Sequence, residues 1–344
     1  MGNPPYGAKI PENEKKTLKQ TYQTAKTISG VQKGSMDSYT LFIERGINLL
    51  CKNGNLTYIV PISFTSSDSL TGVHRLLESN CNTIRVSSYA VRPQPVFKNA
   101  VVDTSIIAFT KTLTPCQRLF STKMHRKGRG FSLQNLIDNL QFAEVKNLKL
   151  YGRIPKISQP IEINILKKIF TQKPIREFVK DSGKPIYYRF AGGRYYKVIT
   201  NYSTGSSAES VLFFDTQLSD IVGCILSSNL SFWFYQIFSD NHNWKGYEIE
   251  SFTIPYLNFT KETTAKINAL YEEYLADIER NANVRISSGN SSYNVASFKE
   301  YKIGKSKAII DRIDDLICPL YGLTKEETEF IKNYEIEFRL GGEE

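Results

Sequence analysis

The chain has 344 residues, more than the roughly 100–200 of a single domain, so at least two domains are expected. Hydrophobic residues make up 41% and charged residues 23%, which excludes wholesale disorder and a collagen-like or membrane composition. No apolar run approaches the roughly 18 residues of a membrane span, and the N-terminus has neither a basic nor an apolar targeting segment. The sequence therefore predicts a cytoplasmic protein without a membrane partner.

The positive charge is concentrated in one part of the chain. Residues 115–197 contain 18 Lys and Arg against 5 Asp and Glu, a net of +13, whereas the whole chain carries +10. Such a segment attracts a polyanion, and nucleic acid is the commonest one for a cytoplasmic protein. The alternative at this point is a well-solvated basic surface with no ligand.

Cysteine and histidine spacing gives no sign of a metal or disulfide site. The five cysteines lie far apart in the sequence, which is typical of reduced thiols, and the three histidines have no nearby carboxylate or cysteine at metal-ligand spacing. We therefore predict no metal.

The first elements indicate an α/β arrangement. Residues 8–36 are polar and predict a loop or short helix. A helix follows, capped by Asp37 or Ser38 and ending at a Lys-Asn-Gly turn, and then a short apolar strand over Asn55–Pro61. Helix, glycine turn and buried strand together predict one unit of a parallel sheet.

The same pattern continues to residue 112 and then stops. A helix is predicted over 70–78, with strands over 83–91 and 103–110, so residues 1–112 are expected to form half of a doubly wound sheet. After Thr114 the sequence becomes basic and aromatic, interrupted by Pro and Gly, which predicts a second, irregular α+β domain. We place the break near residue 113.

The C-terminal third predicts mainly helices. A buried helix is expected around Ile221–Leu226, and an amphipathic one over Thr263–Arg280. Residues 281–297 are rich in Asn, Ser and Gly and predict an exposed loop. The last region, 305–340, is acidic, and Asp311, Asp314 and Asp315 are expected on a solvated helix face.

The motif with the clearest chemistry is Asn-Pro-Pro-Tyr at positions 3–6. The side-chain oxygen of Asn3 and the carbonyl of Pro4 can accept hydrogen bonds from an exocyclic amine and direct its lone pair toward a methyl donor. Pro4 and Pro5 fix an extended backbone, and Tyr6 offers a face for stacking a base drawn out of a duplex. Taken alone, the tetrapeptide is equally consistent with a turn.

Together with the helix and strand that follow it, the motif resembles gamma-class adenine-N6 DNA methyltransferases of the type IIG restriction-modification enzymes. The resemblance extends over nearly the whole chain. The segment Val91-Arg92-Pro93-Gln94-Pro95-Val96-Phe97 is similar to the family's second base-contacting region. It implies that Phe97 stacks on a flipped adenine opposite Tyr6, although a core phenylalanine is an equal alternative.

Further along, segments 183–197 and 226–255 resemble target-recognition domains. The resemblance implies three regions: the C-terminal half of a methyltransferase domain over 1–113, a target-recognition domain over 114–260 and a helical region over 261–344. Double-stranded DNA would be the partner. The predicted DNA-binding residues are Arg126, Lys127, Arg129, Lys184, Arg189, Arg194 and Lys197. The tyrosines that alternate with these basic residues are equally consistent with packing inside the domain.

The sequence also departs from the family. Complete members hold S-adenosylmethionine with a strand, a glycine-rich turn and an acidic residue upstream of the tetrapeptide, and this segment is absent before Asn3. We therefore expect an incomplete chain that is inactive and binds the cofactor weakly by itself. An upstream polypeptide carrying the cofactor-binding half would complete it.

Three functions follow from these features. The leading one is sequence-specific transfer of a methyl group from S-adenosylmethionine to a flipped adenine in duplex DNA. The second is a non-catalytic DNA-binding specificity module or subunit of a split restriction-modification enzyme. The third, a glutamine methyltransferase acting on a protein, also uses this tetrapeptide, but the long region beyond the predicted sheet argues against it.

Overall fold

The structure, a computed structural model, describes residues 1–7, 9–97, 101–128, 132–192, 196–286 and 297–340. The chain divides into two compact units. The first unit contains Met1–Ile163 and Ile237–Asp240, and the second contains Asn164–Gln236 and Asn241–Glu344. Arg129, Arg194 and residues 287–296, where the sequence predicted an exposed loop, lie outside the described residues.

The first unit is an α/β sheet with short helices. Its elements are α1 (Glu12–Thr21), α2 (Ser38–Leu49), β1 (Asn55–Pro61), α3 (Ser63–Ser66), α4 (Thr71–Asn80), β2 (Thr83–Tyr89), β3 (Thr104–Thr110), β4 (Arg118–His125), α5 (Leu133–Asp138) and β5 (Ala143–Glu144). The strands form one sheet in the order β1-β3-β2-β4-β5. The predicted α/β class, with a partial methyltransferase-like sheet, is confirmed.

The sheet is mixed, and the prediction of a parallel sheet is wrong. Strands β1 and β2 both pair antiparallel with β3, which lies between them, while β2 pairs parallel with β4. Consequently β1, β2 and β4 point in one direction and β3 in the other. Strand direction depends on the connections between strands. The composition of the short turn between β3 and β4, and of the long connection between β2 and β3, does not reveal that direction. Periodicity alone therefore could not predict that β3 is antiparallel.

Local sequence explains where β1 begins. Helix α2 ends at Leu49, and Asn53 then adopts a left-handed conformation with φ of 66°, which Asn tolerates better than most residues. The core of this unit lies between α2 and the sheet: Ile43, Val60 and Ile107 are each 0% exposed. Burial of these apolar side chains, at roughly 25 cal/mol per Å², is the main force holding the sheet to its helices.

The sheet extends past the predicted break near residue 113. Strand β4 pairs with β2 from Thr83↔Arg118 to Tyr89↔His125, and β5 pairs with β4. The first compact unit therefore continues to Ile163. The predicted division into catalytic, target-recognition and helical regions is a functional assignment, and it stays a prediction.

Two helices cross from one unit into the other along the chain, α6 (Pro160–Ile169) and α8 (Asn229–Phe238). The remaining elements belong to the second unit. They are β6 (Lys173–Pro174), β7 (Lys184–Arg189), β8 (Ile199–Thr200), β9 (Glu209–Phe214), α7 (Thr216–Leu226), α9 (Gly246–Glu250), β10 (Thr253–Ile254), α10 (Lys261–Arg280), β11 (Asn283–Ile286), β12 (Ser297–Glu300), α11 (Lys307–Ile317), α12 (Lys325–Asn333) and α13 (Ile336–Leu340).

The second unit is built on α7, α10 and a three-stranded antiparallel sheet of order β8-β7-β9. Gly223 of α7 faces Tyr271 of α10, and a Cβ at this glycine would lie 2.5 Å from the phenol. No single helix in the described residues is long and apolar enough to span a membrane, and only α7 and α8 together, bent by 69°, reach that length and composition. Most residues of α7 are buried in this core.

Two C-terminal expectations need correction. The stretch 281–297 is not all loop, because β11 pairs antiparallel with β12. Asp314 is not solvated but 0% exposed, and it accepts hydrogen bonds from the backbone N–H groups of Asn229 and Leu230, both at 3.0 Å. It therefore caps the first turn of α8, a long-range role that helical periodicity does not reveal.

Candidate functional site

The Asn-Pro-Pro-Tyr segment lies alongside β1. The N–H of Gly2 donates to the Thr57 carbonyl at 2.9 Å, and the N–H of Ile59 donates to the Gly2 carbonyl at 3.1 Å. These bonds form a parallel bridge between Gly2 and Tyr58. Because the pairing is parallel, Asn3 and the residues after it run toward the carboxyl end of β1.

Several segments leave the sheet at this same edge. Register aligns Pro61 with Thr104, Thr104 with Tyr89, and Tyr89 with His125. The segments that follow β1, β2 and β4 therefore begin side by side with the tetrapeptide. In open α/β sheets, ligands bind outside the carboxyl ends of the strands, so topology alone makes this edge the candidate site.

Within the tetrapeptide, the residues differ in exposure and in partners. Pro4 is buried and Asn3 is exposed. The hydroxyl of Ser38, the first residue of α2, donates to the Pro5 carbonyl at 2.6 Å. No hydrogen bond to the Asn3 side chain or the Pro4 carbonyl occurs within the described part of the chain. These are the two acceptors that the sequence assigned to an incoming amine.

Tyr6 is half-buried, and burial raises the pKa of its phenol, which keeps the ring neutral at physiological pH. Phe97 is also half-buried. No ring contact between Tyr6 and Phe97 is present among the described residues, so the predicted clamp on a base stays a prediction.

A buried glutamate organises the chain between the tetrapeptide and α2. Glu44 is 4% exposed and accepts three hydrogen bonds, from the N–H groups of Gln23 (2.8 Å) and Thr24 (2.7 Å) and from the Thr24 hydroxyl (2.7 Å). The sequence assigned no role to Glu44, and it named Ser38 only as a candidate helix cap. The available signal was an acid among the apolar positions of α2, between Leu41 and Ile47.

The segment that contains Phe97 lies next to predicted DNA-binding residues. Gln94 donates its N–H to the Lys127 carbonyl at 3.2 Å, and the Asp103 carboxylate accepts the N–H of Val91. Arg126 and Lys127 are both half-buried. The structure thus brings the predicted base-contacting segment and two basic residues together at the carboxyl edge of the sheet.

The last residue of β4, His125, is a histidine to which the sequence assigned no role. The Nε2 atom of His125 is buried without a hydrogen-bond partner in the described residues, and burial lowers the pKa of His125 to about 4. Its ring lies 5.8 Å from that of Tyr89. His125 also lines a cavity of about 240 Å³ with Lys123, Asn139, Gln141, Ser158 and Gln159.

In the second unit, the predicted DNA-binding residues have different environments. Lys184 forms an ion pair with Asp220. Arg189 is half-buried, and its backbone N–H donates to the Val198 carbonyl at 3.1 Å. Lys197 is only 6% exposed, with its ammonium 3.1 Å from the Gly192 carbonyl and 4.2 Å above the Tyr235 ring. This burial favours a structural role for Lys197 over the predicted phosphate contact.

Comparison with known proteins finds a family match for the N-terminal segment. Residues 1–97 match the Eco57I restriction-modification methylase family. This segment contains the tetrapeptide, the Ser38 contact and Phe97. Over 154 residues the chain is also 29% identical to the type II restriction enzyme and methyltransferase RM.Eco57I of Escherichia coli, covering 43% of this chain and 12% of that protein. The chain therefore matches a small part of the length of its curated relative.

A solved structure extends the similarity in fold to the rest of the chain. The type IIL restriction-modification enzyme MmeI, solved in complex with DNA, is similar over 99% of this chain and 56% of that chain, with a TM-score of 0.55 and 11% identity. The type IIG restriction endonuclease BpuSI matches with a TM-score of 0.32 and 8% identity over 99% of this chain and 54% of that chain, a similarity too weak to establish a shared fold.

Proposed function

We propose that this chain provides the base-acting and DNA-reading parts of a site-specific adenine-N6 DNA methyltransferase of a restriction-modification system. The observation that carries the proposal is the tetrapeptide at the carboxyl edge of the sheet. There Asn3 and Pro4 offer two acceptors not used by the rest of the described chain, inside the segment that matches a restriction-modification methylase family.

The chemistry follows from the two acceptors. Hydrogen bonds from the adenine amine to the Asn3 oxygen and the Pro4 carbonyl would pull its nitrogen toward tetrahedral geometry and free its lone pair. S-Adenosylmethionine, when bound, supplies an electrophilic methyl group. With the amine held by Asn3 and Pro4, its nitrogen would accept that methyl group and lose one proton to water. Because Ser38 holds the Pro5 carbonyl, the acceptors are oriented before the base arrives.

DNA contacts would be distributed over both units. Tyr6 would stack on the flipped adenine, and Phe97 would contact its other face. Arg126 and Lys127 at the sheet edge, and Arg189 in the second unit, would contact phosphates. Arg129 and Arg194 are proposed on sequence alone, because they lie outside the described residues. We also propose a cytoplasmic location, on sequence grounds.

A DNA-binding specificity module without catalysis is the second candidate. It is favoured by the concentration of positive charge in residues 115–197, outside the segment that matches the methylase family. We assign no residue of this chain to the methyl donor. Under this reading a separate polypeptide would supply the cofactor-binding half.

The two candidates predict different results in one assay. Labelled S-adenosylmethionine and duplex DNA are incubated with the chain, with and without a polypeptide that carries the upstream cofactor-binding segment, and label on the DNA is measured. The methyltransferase proposal expects incorporation when that segment is present. DNA binding without incorporation in either condition would favour the specificity module, and absence of both would reject the two candidates together.

A further inference from the structure

The second unit contains an aromatic cavity that none of the roles above uses. It has a volume of about 290 Å³ and is lined by Tyr188, Phe190, Ser210, Asn243, Trp244, Lys245 and Gly246. Its lining residues include three aromatics together with a serine, an asparagine and a lysine. This size is near the lower end for ligand sites and suits one flat heterocycle.

The walls of the aromatic cavity are fixed by the backbone. Phe190, just after β7, donates its N–H to the Ala208 carbonyl at 2.9 Å, and its carbonyl accepts the N–H of Trp244 at 2.7 Å. The rings of Tyr188 and Trp244 meet edge to face, with centroids 6.2 Å apart at 71°. Tyr188 and Trp244 are 4% and 2% exposed, whereas Phe190 is 38% exposed. Two rings are therefore fixed in the wall, and the third lies at the entrance.

A glycine keeps the cavity open. A Cβ at Gly246 would lie 3.3 Å from the Tyr188 hydroxyl oxygen, closer than an ordinary contact. A side chain at this position would therefore press on the phenol and occupy space inside the cavity. Burial raises the pKa of Tyr188, so its phenol stays protonated and can take part in hydrogen bonding.

Both cations and acids lie around the entrance. Lys245 lines the cavity and Arg189 adjoins Phe190 in the sequence. Glu209, paired with Arg189 across the strands, has its carboxylate hydrogen-bonded by Ser203 and Thr204, and a carboxylate oxygen of Glu250 would lie 3.7 Å from a Cβ at Gly246. Flat aromatic faces bind nucleobases of any sequence, and neighbouring cations bind the phosphates on either side.

We propose that the aromatic cavity binds a nucleobase of the bound DNA that has left its stack, at a second site distinct from the one at Tyr6. The inference rests on the proposed DNA-binding function and extends it. Phe190 would stack on the base at the entrance, and Ser210 and Asn243 would offer hydrogen-bonding groups to its edge. The rest of the duplex would be held by contacts elsewhere on the chain.

Tryptophan fluorescence provides the test. The chain has two tryptophans, and Trp244 lines the cavity whereas Trp233 does not, so Trp244 is the one that a base in the cavity would quench. The full chain is titrated with a duplex carrying one unpaired base, with a fully paired duplex and with adenosine monophosphate. We expect quenching by the duplex with the unpaired base, and its loss in Trp244→Phe.

Variants separate stacking from general binding. Loss of one base–aromatic stack should weaken binding of the unpaired-base duplex roughly 10-fold in Phe190→Ala, and Phe190→Tyr should restore it. Tyr256→Ala is the matched control, because Tyr256 is also an exposed aromatic of the second unit, at 46%, but does not line the cavity. Unfolding by urea identifies any variant that fails to fold.

The outcomes are distinct. Quenching that requires Phe190 supports the inference. DNA binding, measured by anisotropy, with no change in Trp244 fluorescence and equal affinities for Phe190→Ala and Tyr256→Ala overturns it and leaves the proposed function intact. Quenching by adenosine monophosphate but not by any duplex also overturns it, because the ligand is then a free nucleotide. Absence of any DNA binding rejects the proposed function itself.

Discussion

The two compact units differ in where their candidate functional residues lie. In the first unit, sheet topology brings the tetrapeptide, the Phe97 segment and Arg126 to one edge, although they are far apart in sequence. In the second unit, the predicted residues that the structure describes do not meet at a single edge. Lys184 forms an ion pair and Lys197 is buried, and an aromatic cavity lies next to Arg189.

The difference shows that strand order groups candidate residues that are distant in sequence, whereas a charge count does not. The basic segment at 115–197 continues from the first unit into the second, and part of its charge points inward. Arg153 and Lys156 are 0% exposed, and the Lys156 ammonium donates to the carbonyls of Ile237 (3.0 Å) and Ser239 (2.7 Å). A net charge of +13 therefore overstates the field that DNA would meet.

The largest effect is expected from a substitution that impairs the chemistry of the first unit and leaves the second unit unchanged. Asn3→Ala removes one acceptor for the reacting amine, and loss of one preorganised polar group typically lowers the rate by about 100- to 1000-fold. Duplex affinity should change far less, because phosphate contacts are distributed over both units. Methyl incorporation is measured with the chain supplemented by the polypeptide that carries the cofactor-binding segment, here called the complemented enzyme. DNA binding is measured in parallel by anisotropy.

Asn333→Ala is the control for Asn3→Ala. Asn333 is an exposed asparagine of α12 in the second unit, and its replacement should leave incorporation unchanged. Near-normal turnover of Asn3→Ala would contradict the assigned role.

The second prediction uses pH to separate the units. Burial lowers the pKa of His74 to about 3 and of His125 to about 4, below the ordinary 6.5. Protons bind more strongly after unfolding, so the first unit loses stability as pH falls from about 6.5 toward 4. The loss is at most about 1.4 kcal/mol per pH unit for each histidine. In the second unit, burial raises the pKa of Asp314 to about 6, so its contribution is lost as pH rises through 6.

Two optical signals, taken together, distinguish the unfolding of the two units. Trp233 and Trp244 both belong to the second unit, so tryptophan fluorescence reports that unit, whereas far-ultraviolet circular dichroism reports both. Urea titrations at pH 6.5, 5.5 and 4.5 should show circular-dichroism midpoints that fall earlier than the fluorescence midpoints. His125→Gln should reduce that difference. If the circular-dichroism and fluorescence midpoints coincide at every pH, the predicted difference in pH dependence between the units is wrong.

The third prediction concerns the support of the tetrapeptide. Ser38→Ala removes the hydroxyl that holds the Pro5 carbonyl, and a typical hydrogen bond of about 0.5–1.5 kcal/mol corresponds to roughly a 2- to 10-fold loss. The loss should fall on kcat rather than KM, because the acceptors become less well oriented while DNA contacts remain. Ser38→Thr retains the hydroxyl and should recover most of the rate. An unchanged kcat in Ser38→Ala would remove Ser38 from the mechanism.

The smallest effect is expected from substitutions that test which lysine and arginine side chains contact DNA. Arg189→Ala should reduce the slope of log affinity against log salt by about 0.9, the share of one phosphate contact. Lys197→Ala should leave the slope unchanged, because its ammonium is engaged inside the unit. Duplex binding is measured at several salt concentrations. Equal changes in both variants would show that burial does not distinguish these residues.

Sequence alone predicted the local elements well. Strand β1 was predicted with its observed bounds, and α2 and α10 to within two residues, because helix caps and apolar periodicity are encoded locally. The tetrapeptide was also recognisable by its residue types. The antiparallel β3, the Ser38 bond to Pro5 and the burial of Lys156 were not predicted, because each depends on a partner many residues away.

The identity of the product tests the central proposal most directly. Duplex DNA is treated with S-adenosylmethionine and the complemented enzyme, digested to nucleosides and analysed by mass spectrometry. The account predicts N6-methyldeoxyadenosine, present with the native chain and reduced about 100- to 1000-fold with Asn3→Ala. Methylated cytosine, or N6-methyldeoxyadenosine that does not depend on Asn3, would contradict it.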